Sequence, residues 1–225
     1  ESVAGPLNGI ARVYLDMGQS KRAIEYARRA LEASAASPQQ QRDRSTALRI
    51  VGRAHHAQGD LAAAEQAYLE CDRSADAYGR SLALISLAEL YVEQKRYDEA
   101  VERYQECLNI LSPQMREMVL CEAMLGLGKV YLARGDVERA LGPLTEAISQ
   151  GVSHGAPQEA AKAHATMAQA LKELNRHKEA LAHFEAFHEL NERTLRQLSD
   201  QRTQILTVQL EVERLERDRE IDRLH

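Results

Sequence analysis

Residues 84–108 read LISLAELYVEQKRYDEAVERYQECL. Leu84, Leu87, Ala88 and Tyr91 recur at three- and four-residue intervals, and after the polar break at Lys95-Arg96 the spacing resumes at Tyr97, Ala100, Val101 and Tyr104. That period marks one face of a helix, so the stretch predicts two amphipathic helices joined by a tight turn. Four other strings align with it without gaps: LNGIARVYLDMGQSKRAIEYARRAL, LRIVGRAHHAQGDLAAAEQAYLECD, MLGLGKVYLARGDVERALGPLTEAI and HATMAQALKELNRHKEALAHFEAFH. The five copies begin at Leu7, Leu48, Leu84, Met124 and His164, in steps of 41, 36, 40 and 40 residues. One such pair cannot bury its own apolar face, so the copies must stack on one another.

The copies agree where two helices have to meet. Small residues stand at Ala11, Gly52, Ala88, Gly128 and Ala168, and three residues later come Tyr14, His55, Tyr91, Tyr131 and Leu171. Ala23, Ala64, Ala100, Ala140 and Ala180 fill a second small site, and Ala30, Cys71, Cys107, Ala147 and Phe187 a third. Ala or Gly at a helix crossing lets the backbones approach while an aromatic ring fills the adjoining space. Over roughly residues 6–190 this pattern resembles the tetratricopeptide repeat (TPR), with departures at His55, Leu171 and Phe187. The resemblance implies an all-α fold: a superhelical solenoid of five helix-turn-helix repeats over 1–190, followed by a connector helix over 191–225.

Turn signals fall inside each pair at Gly18-Gln19, Gly59-Asp60, Lys95-Arg96, Gly135-Asp136 and Asn175-Arg176, with Gly or Asn suited to a left-handed helix end. Asp60 and Asp136 are then placed to cap the second helix. Pro6, Pro38, Pro113 and Pro157 lie where helices should begin or end, whereas Pro143 falls inside one and predicts a bend.

Beyond Leu190 the repeat stops, and 35 residues follow without Gly or Pro. Leu198, Ile205, Val208, Val212 and Leu215 fall on the a and d sites of a heptad, although Gln201, Arg219 and Asp222 share that seam. Leu206, Val208, Leu210 and Val212 also alternate with period two, a strand pattern. Against it, Glu192 with Arg196 and Glu213 with Arg217 make four-residue pairs that favour a helix. Long-period TPRs followed by LTVQLEVERLERDREIDRL look like the sensory region of bacterial signalling proteins, most like TPR-containing GGDEF diguanylate cyclases. That resemblance implies a non-catalytic regulatory and homodimerising region that couples ligand or protein binding to an output domain making cyclic di-GMP. The rival expectation is a free-standing peptide-binding adaptor of co-chaperone or transcription-regulator type.

Composition restricts the chemistry. Aromatics are 4% with no Trp, and the abundance of Ala, Leu, Glu and Arg excludes an all-β fold. A net charge of −5 with alternating signs argues against a nucleic-acid surface. No apolar run approaches the roughly 20 residues a membrane span needs. Cys71, Cys107 and Cys121 have no paired or metal-type spacing, the pattern of a reducing, cytoplasmic setting, and the repeat register gives the first two a packing role. Adjacent His55 and His56 point about 100° apart on a helix, while His183 and His188 are five apart, so neither pair shares a face. Glu185 with His188 is an isolated Glu-x-x-His, and no phosphate loop or hydrolase motif occurs, so no cofactor, metal or catalytic residue is expected. A first residue other than Met and an end inside a charged helical pattern suggest an excised piece.

The working surface expected from stacked pairs is the concave one, lined by their first helices. The family pattern places Asn8, Arg12, Arg49, Arg53, Glu89, Lys129 and Lys172 there. Five of these seven are basic, which points to a protein or peptide partner carrying acidic groups.

Overall fold

The computed structural model describes residues 3–34, 40–74 and 76–224. Among them are ten helices and no strand, in five consecutive pairs: α1 (Ala4–Asp16) with α2 (Ser20–Ser34), α3 (Gln41–Ala57) with α4 (Leu61–Ser74), and α5 (Ala77–Glu93) with α6 (Tyr97–Ile110). The last two pairs are α7 (Pro113–Arg134) with α8 (Val137–Ser153), and α9 (Pro157–Glu173) with α10 (His177–Leu224). Pro113 and Pro157 open their helices as expected, and Pro38 lies outside the described residues.

One device closes every pair. Gly18, Gly59, Lys95, Gly135 and Asn175 have φ of 71°, 77°, 59°, 87° and 58°, the left-handed region. Each donates its N–H to the carbonyl three residues back, and the next residue donates to the carbonyl five back. Those second bonds run from Gln19 to Tyr14 (2.8 Å), Asp60 to His55 (3.0 Å), Arg96 to Tyr91 (2.8 Å), Asp136 to Tyr131 (2.8 Å) and Arg176 to Leu171 (2.8 Å). The acceptor is the repeat's aromatic site each time, so two orphan carbonyls are satisfied at a fixed distance from it. This is why the copies align without gaps. Asp60 does cap, accepting from the Ala63 N–H at 3.1 Å. Asp136 does not, because Arg134 holds its carboxylate, with Nε 2.6 Å from Oδ2. Pro143 sits inside α8, which continues through it from Val137 to Ser153.

Apolar packing forms a strip along the stack. Ala23, Ala64, Ala100 and Ala140 are fully buried at the crossings. A Cβ added to Gly52 would collide with the Tyr68 ring, and one added to Gly126 with the Tyr104 ring. At Gly128 it would stand 2.6 Å from Leu144 Cγ. The glycines therefore make room for the large residue of the opposing helix. First helices touch in series, α1 on α3, α3 on α5, α5 on α7 and α7 on α9, while second helices make no comparable contact with one another. Drawing together one row and not the other curves the stack with the first helices inside. A polar tie on the turn side joins repeats two and three: the Tyr91 hydroxyl donates to Glu65 at 2.9 Å, and Arg96 lies 4.0 Å over the Tyr91 ring and bonds Glu65 at 3.2 Å.

α10 is one helix of 48 residues, so the last repeat and the tail share a single rod. The stretch 206–212 is helical, and the competing strand pattern is not adopted. Arg196 pairs with Glu192 at 3.0 Å, whereas the side chains of Glu213, Leu215 and Arg217 lie outside those described. The beginning of α10 packs on α9 through Ala180, with Phe187, Leu190 and Thr194 half-buried. Phe184 marks the end of the stacking. Its counterparts Tyr68, Tyr104 and Leu144 are 1%, 2% and 0% exposed, and Phe184 is 49% exposed.

Candidate functional site

Two recesses open along the inner row. The first, about 610 Å³, is lined by Arg49, Arg53 and His56 of α3, Glu89 and Glu93 of α5, and Glu122 of α7. The second, about 700 Å³, adds Lys129 of α7, Lys162 and Glu159 of α9, and the Tyr104 ring, with Leu125 and Gly126 beside it. Both share His56, Glu89 and Glu122, so they form one groove across four repeats. A third recess of about 270 Å³ extends beyond Arg49 to Arg42 and Tyr78.

Charge is ordered along this groove. Arg49 and Arg53 stand on one side and Glu89 and Glu122 at the centre, while His56 bonds Glu93. Burial pushes the Glu89 carboxyl above the ordinary carboxylate range, and the like charge of Glu122 adds to this, against a smaller opposing pull from Lys129. Burial, then the same two carboxylates, push the Tyr104 phenol upward, so it stays a neutral hydroxyl there. Arg49, Arg53, Glu89 and Lys129, read from sequence, meet in the groove. Arg12 and Lys172 are exposed but do not line these recesses. Asn8 is buried instead, its Nδ2 donating to the Asp43 carbonyl at 2.9 Å and tying α1 to α3.

The sequence reading missed Glu122, Glu93, Glu159 and Lys162. Glu122 and Lys162 each stand two residues before the start of an aligned string, on the same helical face as the residues selected. Also missed was a histidine pair between α9 and α10: His164 Nδ1 lies 2.9 Å from His183 Nδ1, with ring centroids 5.0 Å apart. One nitrogen must donate and the other accept, so at least one ring is neutral. Burial pushes both pKa values down.

Two of the three thiols are packed inside the stack. Cys71 and Cys107 are buried, and burial pushes both up to about 12. Their sulfurs lie 3.3 Å from the Ser45 carbonyl and 3.5 Å from the Ser81 carbonyl. Among the described residues no group of three or more His, Cys, Asp and Glu could hold a metal ion, and no helix is long and apolar enough to cross a membrane.

Comparison with known proteins agrees with this architecture. A putative kinesin light chain from Podosopora anserina, with nearly identical TPR-like repeats, superposes with a TM-score of 0.65 at 19% identity, covering 86% of this chain and 97% of its own. PilF of Pseudomonas aeruginosa gives 0.68 at 18% identity, covering 83% and 76%, and BtubC (BKLC) from P. vanneervenii gives 0.66 at 19%, covering 86% and 75%. At these identities the likeness is one of fold. No curated protein matches by sequence. The family described as MalT-like TPR region matches residues 10–223, nearly the whole chain, including most of α10. The chain belongs to the MalT-like TPR region family.

Proposed function

We propose that this protein is a protein-interaction module with two working faces: the groove of the first helices, which takes a segment of a partner, and the apolar stripe of α10, which pairs two copies. The observation that carries the first part is the continuous groove over four repeats, where Arg49, Arg53, Glu89, Glu122 and Lys129 make no hydrogen bond or ion pair among the described residues. Support for the second part is the exposure of Leu198, Ile205, Val208 and Val212 on a helix that packs on α9 only near its start. A long helix with several exposed large apolar side chains gains by burying them against a second such helix.

In this reading the paired α10 rods carry the arrangement of the repeats to an attached output domain. A ligand in the groove alters that output only if it binds two arrangements with different affinity. A diguanylate cyclase output is the narrower form of the proposal, and it rests on the tail's resemblance alone. Light scattering of the full chain and of a form lacking residues 198–225 tests the pairing. The expected result is a dimer that becomes a monomer on truncation. A monomer in both forms contradicts it and favours the free-standing adaptor.

A further inference from the structure

The order of charge in the groove points to the kind of segment it takes. We infer that the occupant is an extended stretch of a partner protein with an acidic side chain facing Arg49 and Arg53 of α3, and a basic side chain four residues away facing Glu89 and Glu122. This rests on the groove reading above and adds the chemistry of what lies there.

Three observations carry it. First, among the described residues none of these four side chains is engaged in a hydrogen bond or ion pair, whereas arginines at the helix ends and turns are. Arg80 bonds Asp72 at 2.8 Å, Arg96 bonds Glu99 at 2.6 Å and Arg134 bonds Asp98 at 2.6 Å. Second, Glu89 and Glu122 line both main recesses, where α5 meets α7, and both side chains are exposed to the groove. Two like charges in such a place oppose each other, and an ammonium or guanidinium between them removes the repulsion and supplies charge-assisted hydrogen bonds. The raised pKa of Glu89 agrees with this placement.

Third, the spacing fits an extended chain. Packed helices lie about 8–10 Å apart, so the gap between α5 and α7 is roughly 12–15 Å from α3. An extended chain advances about 3.3 Å per residue and returns a side chain to the same face every second residue, so a four-residue step spans about 13 Å on one face. The groove runs past Glu122 to Lys129 and Lys162, the latter already 3.7 Å from Glu159, so the free charges that set the pattern are the arginines of α3, the two central glutamates and, beyond them, Lys129, whose charge also pulls on Glu89. A uniformly acidic segment would leave those glutamates facing like charge, which costs binding.

The test uses the full 225-residue chain against an array of synthetic peptides with randomised backgrounds. Each peptide carries a fixed pair four residues apart: Glu with Lys in either order, Glu with Glu, or Lys with Lys. The mixed pairs should bind at least about tenfold tighter than the like pairs, in one order. With the best mixed peptide, Glu89→Gln and Glu122→Gln should each weaken binding about tenfold while leaving the free chain at least as stable, since a repulsion is lost. Glu122→Lys should shift the preference toward the Glu–Glu peptides. Tightest binding by Glu–Glu peptides, abolished by Arg49→Gln, would overturn this pattern while leaving the groove reading intact. No binding by any peptide class would overturn both.

Discussion

Lys95 holds a backbone conformation that disfavours any side chain with a Cβ, because its φ of 59° is required to end α5 and start the turn. Glycine takes that place in three of the other four turns and asparagine in one. Lys95→Gly should therefore stabilise the fold by about 1 kcal/mol, and Gly135→Ala should destabilise it by a similar amount, both read from urea midpoints. The second kind of special residue is the glycine at a crossing. Gly126→Ala drives a methyl into the Tyr104 ring and should cost about 1–3 kcal/mol, although the helix around it would tolerate alanine. The turn residues were legible in the sequence because their role recurs at fixed register, whereas Gly126 stands two positions before the repeat's small site at Gly128 and was not. Asp136 was misread because the cap rule looks only forward along the chain, whereas Arg134, two residues behind, claims the carboxylate. His164 and His183 escaped notice because 19 residues and a turn separate them, and no spacing rule along one helix joins them.

Elements differ in how much of their surface the stack consumes. The histidine pair lies where α9 meets α10, and its titration gives that contact a pH dependence. Burial lowers both pKa values below the ordinary 6.5, so the unfolded chain binds these protons first. Stability should thus be full above about 6.5 and decline as pH falls toward the lower folded values, despite the opposing pull of Glu179 on His183. Replacing His183 by Phe should flatten that part of the profile in thermal melts recorded across pH. Comparison of Tyr104 with Phe184 makes the same point about covering. Tyr104→Ala removes a side chain sealed by the next repeat and should cost about 3–5 kcal/mol, whereas Phe184→Ala, at the uncovered end, should cost well under half of that in the monomer.

For the whole molecule, the order of elements and the stacking direction were readable because five copies repeat one solution. The curvature that makes the groove follows from contacts between first helices that second helices lack. Four of the seven expected groove residues do meet in the groove, but its charge could not be read from five registered positions. Glu122 faces Glu89 from the neighbouring repeat, and such a juxtaposition depends on how two helices are offset, which no single repeat encodes. Asn8 illustrates the reverse: a position that faces a ligand by family pattern is here taken up by the start of α3. On the proposed account the chain is an open stack that leaves two faces for others. Hydrogen exchange of the full chain, followed over a wide range of protein concentration, tests this most directly. The account predicts that backbone amides around residues 198–212 exchange more slowly as concentration rises while those of α3 and α5 do not change. Fast exchange in α10 at every concentration, with no dependence on it, would contradict the account.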